Sequence, residues 1–267
     1  MDDRKWEKDG CRILYEDRDL LVCYKQPGLA VQSARLGVKD MVSILKTYLR
    51  EQSPAAGEPY LGVVHRLDQP VRGLVLFAKN KKAAAALSSQ LGDGRMQKRY
   101  LAIVRLCPGW EDSIAPCERM DSAGASENTS LSENADPESG NGLTKQTLVD
   151  YLIKDAGTNL SRVVPEDTPG AKRAELTYEC MQVLRDAQGV PVKALLEIAL
   201  HTGRHHQIRV QMAHAGMPLV GDRKYAPAAA PDQDLFPLLC AWKLVFFHPG
   251  TGRQMELCAP PDGIGFP

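Results

Sequence analysis

Apolar residues along this chain come in short runs closed by proline, glycine or clustered charge, the pattern of strands joined by tight turns. Ile13-Leu14-Tyr15 leads to the polar turn Glu16-Asp17-Arg18-Asp19, residues 20–24 form the next run, and Pro27-Gly28 ends it. The period then changes. Val38, Met41, Val42, Leu45 and Leu49 recur at three and four residues, which is one face of an amphipathic helix that must stop before Pro54. Leu61-Gly62-Val63-Val64 resumes as a strand, the polar stretch His65-Arg66-Leu67-Asp68 with Pro70 makes a turn, and residues 74–78 return as a second strand. The alanine-rich stretch 82–91 has high helix propensity with Gly92 as its stop, and residues 98–104 read as another strand.

Beyond these, residues 148–153, 173–184 and 194–200 read as strands. The last two flank a Gln188-Gly189 turn with no helix between them, so they should pair antiparallel. From about His205 the spacing of Ile208 and Met212 predicts a helix that Gly216 can cap, followed by a loop over 219–225. Residues 240–247 and 254–258 are the closing strands, split by His248-Pro249-Gly250. The expected fold is therefore α+β, a mixed, mostly antiparallel sheet flanked by helices. One stretch departs from the pattern. Residues 121–146 are rich in Ser, Asn, Gly and Glu, with five carboxylates, one lysine and almost no large apolar side chain. Such a segment buries too little surface to offset the entropy of ordering it, and is expected to be a flexible acidic insertion in a single domain spanning 1–267.

Composition narrows the function classes. With 43 % hydrophobic and 25 % charged residues the chain is an ordinary globular protein, and its 33 basic and 33 acidic residues cancel. No global field draws it to a polyanion, so nucleic-acid binding must rest on local clusters such as Lys98 with Arg99, or Arg204 with Arg209. Seven scattered cysteines without a Cys-x-x-Cys pair, a charged start with no apolar leader and no long apolar run predict a cytoplasmic protein with reduced thiols and no membrane contact.

For chemistry, four histidines, His201, His205, His206 and His214, fall close together, but the His-Glu-x-x-His spacing is missing and no metal is expected. No Gly-x-Ser-x-Gly elbow, P-loop or Gly-x-Gly-x-x-Gly occurs, so no nucleotide cofactor is expected either. What is left is the chemistry of carboxylate, tyrosine and arginine. Asp68 stands out because a carboxylate and the guanidinium of Arg66 lie two residues apart at one turn, although an aspartate there is more commonly a turn former or an ion-pair partner.

Three strings, in order, resemble the RluA-type RNA pseudouridine synthases. They are His65-Arg66-Leu67-Asp68 with Arg72-Gly73-Leu74 four residues on, Lys98-Arg99-Tyr100-Leu101-Ala102, and the run from Thr202-Gly203-Arg204 through His206-Gln207-Ile208-Arg209-Val210 to His214, followed by Leu219-Val220-Gly221-Asp222. Lys25-Gln26-Pro27-Gly28 resembles the family's Lys-Pro-x-Gly turn with one residue shifted. The resemblance implies a pseudouridine synthase catalytic domain with a central active-site cleft at Asp68. It implies that Asp68 is the catalytic aspartate, Tyr100 stacks on the target base, and Arg209 pairs with the aspartate. By the same resemblance Arg66 enters the RNA where the base has flipped out and Ile208 lines the pocket, while His65, Lys98, Arg99, Arg204 and His206 complete the RNA-contacting set.

The implied activity is isomerisation of uridine in ribosomal or transfer RNA by a monomer without cofactor. Two features depart from the family: Val71-Arg72 stands where relatives carry Thr-Ser, and no N-terminal S4-like RNA-binding segment is expected. The alternative is a non-catalytic RNA-binding relative that serves ribosome assembly.

Overall fold

The structure, a computed structural model, describes residues 6–35, 37–106, 145–226, 234–261 and 266. The acidic stretch expected to be a flexible insertion lies outside the described residues except for Lys145 and Gln146, as do Cys107 and Cys117. The chain divides into two compact units, Met1–Tyr100 with Gln233–Pro267, and Leu101–Asp232.

In the first unit β1 (Glu7–Lys8), β2 (Cys11–Glu16), β3 (Leu20–Lys25) and β5 (Arg72–Ala78) pair antiparallel in that order. At the far side of β5, β4 (Gly62–Val63) pairs antiparallel and β11 (Leu239–Phe247) parallel, and β12 (Gln254–Cys258) adds antiparallel to β11. The mixed, mostly antiparallel α+β architecture is the one the apolar runs predicted. β3 is buried along its whole length. Leu20, Val22, Leu74, Leu76 and Phe246 form one core with Ala83 and Leu87 of α2 (Lys81–Gly92), each such side chain contributing roughly 1.5–3 kcal/mol of apolar burial for the larger ones.

Local chemistry sets the helix ends more sharply than periodicity could. α1 (Met41–Gln52) starts three residues later than Val38 because Asp40 is its N-cap: the Asp40 carboxylate accepts the Ser43 N–H at 2.8 Å and the Ser43 hydroxyl accepts the Asp40 N–H at 3.1 Å. Val38 is left outside, 48 % exposed, and Ile44 joins Met41, Leu45 and Leu49 on the buried face. α2 is capped by Asn80, and the left-handed residue beyond its end is Gly94, at φ +78°, rather than Gly92. The strand expected at 61–64 shrinks to two residues, since the chain leaves β5 after Val63.

Gly73 shows why the first motif carries a glycine. Its φ is +122° and a Cβ there would lie 2.4 Å from the Ala241 carbonyl oxygen, so only glycine lets β5 and β11 meet at the Gly73–Ala241 register. Of the two residues that depart from the family, Val71 is buried and the Arg72 guanidinium lies 5.7 Å from the centre of the Phe266 ring.

β6 (Gln97–Arg105) carries the chain from one unit to the next. In the second unit β10 (Pro191–Leu200), β9 (Lys172–Arg185), β7 (Gln146–Asp155) and β8 (Leu160–Val164) form an antiparallel order, with the expected hairpin at β9–β10 and β8 as a strand that the apolar pattern did not announce. α3 (Gln207–His214) packs on β7 and β8, and its Val210 clusters with Leu152 of β7 and Ala174 of β9. It begins two residues later than expected because His206 is left-handed, at φ +53°. Gly216 follows with φ +76°, the positive angle expected of a cap. Pro218 and Val220 lie along β6: the Arg105 N–H donates to Pro218 O and the Val220 N–H to Ile103 O, both at 2.9 Å.

Candidate active site

Asp68 sits on irregular backbone between β4 and β5, partly exposed, with its carbonyl accepting the Val71 N–H at 3.0 Å to close the turn through Pro70. Irregular backbone needs external anchors, and two buried side chains supply them. Where the β4–β5 ladder stops, the His65 ring continues it, its Nε2 accepting the Leu76 N–H at 3.2 Å. Burial, aided by the charge of Lys98, pulls the His65 pKa down to about 3, so the ring is neutral and its lone pair stays available to β5. The second anchor is Lys25, at the end of β3. Its ammonium donates to the carbonyls of Leu29 at 2.7 Å, Gln69 at 2.9 Å and Gln26 at 3.2 Å. Gln69 is bound twice more, its carbonyl accepting the Gly28 N–H at 2.9 Å and its side chain donating to Gly28 O at 2.8 Å.

Tyr100 belongs to the same unit and is 5 % exposed. Its ring is enclosed. Burial first, then the carboxylate of Asp68 and the thiol of Cys240, push its hydroxyl pKa upward, so the ring is uncharged at neutral pH. The field of Asp68 also reaches Lys25, where it partly offsets the burial that pulls the ammonium down to about 7. Asp68, Tyr100 and Lys25 thus form one electrostatic group within the first unit.

The expected RNA contacts separate by exposure. Arg66 is exposed, and Lys98 and Arg99 are partly so, with burial lowering the Lys98 pKa. His65 is 9 % exposed and its ring is committed to the backbone of β5.

In the second unit the third string builds a helix start. The Thr202 hydroxyl accepts the Glu175 N–H at 2.8 Å and donates to the Gln207 side-chain oxygen at 2.8 Å, and that oxygen also accepts the Arg204 N–H at 2.9 Å. The Gln207 amide donates in turn to Glu175 O at 3.1 Å, so Thr202 and Gln207 bolt the N-terminus of α3 to β9. Arg204 is exposed, with its Nε donating to Arg173 O at 2.9 Å. His206 is buried: it stacks on His205 with ring centres 3.7 Å apart, shares a 2.8 Å hydrogen bond with the Tyr225 hydroxyl, and is kept neutral by burial and then by Arg209, with a pKa near 3. Ile208 is buried as well.

Arg209 is 3 % exposed at its side chain and forks onto a fully enclosed Asp222, Nε donating at 2.7 Å and Nη2 at 2.8 Å. Tyr225 lies beneath the guanidinium, 5.3 Å from it to the ring centre. Asp222 accepts the Lys224 N–H at 3.0 Å and the Tyr225 N–H at 3.3 Å in addition. A planar fork of this kind fixes the direction of a guanidinium as a lysine could not. The partners Asp222, Tyr225 and Lys25 were not singled out from sequence as site residues. For Lys25 a signal existed, a lone lysine closing a fully apolar run just before Pro27-Gly28; Arg209 and Asp222 both lie in the third resembling string, but nothing in it announced that they pair.

Residues 19–214 match the family described as RNA pseudouridylate synthase. The uncharacterized RNA pseudouridine synthase YlyB of Bacillus subtilis is 29 % identical over 249 residues, which cover 93 % of this chain and 68 % of that protein. The ribosomal large subunit pseudouridine synthase C of Salmonella typhimurium is 31 % identical over 263 residues, 94 % of this chain and 66 % of that protein. The chain thus spans about two thirds of the length of these relatives. Among solved structures, human RNA pseudouridylate synthase domain containing 1 superposes with a TM-score of 0.62 at 21 % identity, over 94 % of this chain and 83 % of that one, a likeness of fold.

Proposed function

The chain belongs to the RNA pseudouridylate synthase family, a family of isomerases, and we propose that it converts particular uridines of structured RNA to pseudouridine with Asp68 as the reacting carboxylate. The name of the Salmonella typhimurium relative, ribosomal large subunit pseudouridine synthase C, favours ribosomal over transfer RNA as substrate. The reaction breaks the C1′–N1 bond, turns the uracil and closes C1′–C5, with the C5 hydrogen leaving as a proton. Nothing is oxidised or transferred to another molecule, so the chemistry needs no cofactor, and we place it in a cytoplasmic monomer whose two units form one catalytic domain.

The observation that carries this reading is the pairing of Asp68 with a buried, uncharged Tyr100 in one unit. The carboxylate acts as nucleophile at C1′ or as base at C2′, and either route needs it ionised beside a neutral ring that can stack on a flipped base. Arg209, aimed by Asp222, is the basic member of the set; Arg66 fills the gap left in the RNA, and Lys98, Arg99 and Arg204 hold phosphates. His65, His206 and Ile208 act from inside, shaping the surfaces that those residues present.

Tritium release from C5-labelled uridine in ribosomal RNA lacking the modification tests the reading, because isomerisation must expel the C5 hydrogen. Release by the wild type and none above background by Asp68→Asn, with fold and RNA binding intact, is the expected result. RNA binding without release by the wild type would replace the reading with that of a non-catalytic RNA-binding protein.

A further inference from the structure

The hairpin of β7 with β8 gathers positive charge at the end where its turn lies. Lys154 stands opposite Ser161 in the ladder, so both side chains leave the face on which Leu152 clusters with Val210 of α3. Ser161 is buried, and its hydroxyl donates to His205 O at 2.8 Å while lying 2.9 Å from His205 Nδ1. Its N–H donates to the Tyr225 hydroxyl at 2.8 Å, and Tyr225 in turn holds His206, on which His205 stacks. From the loop after α3, Lys224 reaches across to the same turn, its ammonium donating to Asn159 O at 3.0 Å. Lys154 and Lys224 are both exposed, and they flank a floor built by Ser161, His205, His206 and Tyr225.

Among the described residues no carboxylate meets either ammonium. The acidic groups nearby are held elsewhere. Asp150 accepts the Gln211 amide at 2.8 Å and lies 3.1 Å from His214 Nδ1, and Asp155 accepts the Gly157 N–H at 2.9 Å and the Thr158 hydroxyl at 2.8 Å. Glu166 takes the Tyr151 hydroxyl and Asp222 takes Arg209. Lysines elsewhere on the surface, such as Lys39, Lys46 and Lys243, do meet a carboxylate. The unmatched charge is felt inside: after burial, Arg209 and His205, the charges of Lys224 and Lys154 help to lower the His206 pKa to about 3. Like charges drawn to one place repel each other, and an anion between them turns that repulsion into attraction.

We propose that Lys154 and Lys224 form a seat for a phosphodiester of the RNA substrate, on the floor that Ser161, His205, His206 and Tyr225 hold rigid. The inference rests on reading the chain as an enzyme that acts on RNA, and it adds to that reading an anchor within the second unit. His206 belongs to the floor and also caps the start of α3, and Arg209 follows within one turn of that helix. A phosphate seated here therefore sets the register of the RNA against Arg209. Such a contact positions the strand and reads no base, so it serves every sequence alike. Inorganic phosphate offers the same chemistry without the polynucleotide, and the experiment separates the two.

The full chain is titrated with ribosomal RNA between about 50 and 200 mM salt, and tritium release gives kcat and KM on the same RNA. Lys154→Gln combined with Lys224→Gln should weaken binding roughly 10-fold at the low-salt end and reduce the slope of log affinity against log salt by about one to two. KM should rise in step while kcat stays within about twofold, because the seat holds RNA and touches no reacting group. Lys154→Arg combined with Lys224→Arg should bind as the wild type does. Lys39→Gln, which removes a charge from the first unit, should leave affinity and slope unchanged. A double glutamine variant with wild-type affinity and slope, or a Lys39→Gln protein that loses as much, overturns the proposal. So does a fall in kcat at constant KM. A Tm that rises in inorganic phosphate only when both lysines are present, with RNA affinity indifferent to them, overturns it in favour of a free anion. Binding needs no turnover: a wild type that shows these lysine effects yet releases no tritium removes the reading of Asp68 and supports the seat.

Discussion

Asp68 and Arg209, the two groups of opposite charge on which the proposed chemistry turns, are held in place in different ways. Asp68 lies on backbone with no regular structure, and the bonds that hold its neighbourhood run from buried side chains to main-chain atoms: Lys25 to Gln69 O, Gln69 to Gly28 O, the Leu76 N–H to His65. Arg209 lies on a helix whose own ladder fixes the backbone, and the bonds that hold it run between side chains, from Nε and Nη2 to the Asp222 carboxylate. The first arrangement sets where a short carboxylate points by setting its backbone, since aspartate has little reach. The second leaves the backbone to the helix and aims a long, planar side chain at its tip. Each tolerates substitution differently, and this gives ways to test the contrast.

The largest expected effect is at Asp222. Asp222→Ala leaves the Arg209 guanidinium in an enclosed place without its forked partner, and about 3 kcal/mol of stability should be lost, the usual scale for removing one member of a buried pair. Chemical denaturation measures it, and a loss below that of an exposed pair would show that Asp222 does not hold Arg209. Next comes Gly73→Ala, which disturbs backbone rather than a side-chain tip. A Cβ 2.4 Å from Ala241 O at φ +122° should cost about 2 kcal/mol, and tritium release should fall with it because β5 begins directly after the Asp68 turn.

Acid then compares the two halves through one histidine each. His65 and His206 are both held neutral, with pKa values near 3 against 6.5 for a free imidazole. As pH falls below about 6.5 the unfolded chain takes up protons that the folded chain refuses, so stability is full above that value and is lost down to about pH 3. His65→Gln, which keeps an acceptor for the Leu76 N–H, and His206→Asn, which suits a left-handed backbone, should each flatten the fall of the urea midpoint between pH 7 and pH 4. An unchanged slope in either variant would mean that its histidine is protonated in the fold. The smallest effect belongs to the exposed pair of Lys39 with Asp9, 3.2 Å apart and 75 % and 39 % exposed. Lys39→Ala should shift stability by less than about 0.5 kcal/mol, which sets the baseline against which the buried Arg209–Asp222 pair is judged.

The same contrast explains what could be seen in the residues beforehand. The runs 20–24 and 74–78, the hairpin of β9 with β10, and the glycine after α3 announce themselves because strand alternation, turn chemistry and helix caps act over a few residues. Helix starts were misplaced by two or three residues because they depend on particular atoms: the Asp40 carboxylate for α1 and the left-handed His206 for α3. β8 escaped notice because Leu160–Val164 is short and has Arg162 at its centre. At the site, Asp68, Tyr100 and Arg209 could be named through three strings, but the uses of Thr202, Gln207 and His65 as structural ties could not. Within those strings a hydrogen-bonding side chain that grips backbone looks the same as one that grips RNA.

The amino-acid sequence alone determined most of the strand and helix order and the candidate reacting groups, which are properties of neighbouring residues. Only the tertiary structure decided that Lys25 is sealed beneath the Asp68 loop and that Asp222 aims Arg209. The partners of these bonds lie 44 and 13 residues apart. A bond across such a loop follows from how strands and helix pack, and local preference carries no trace of it.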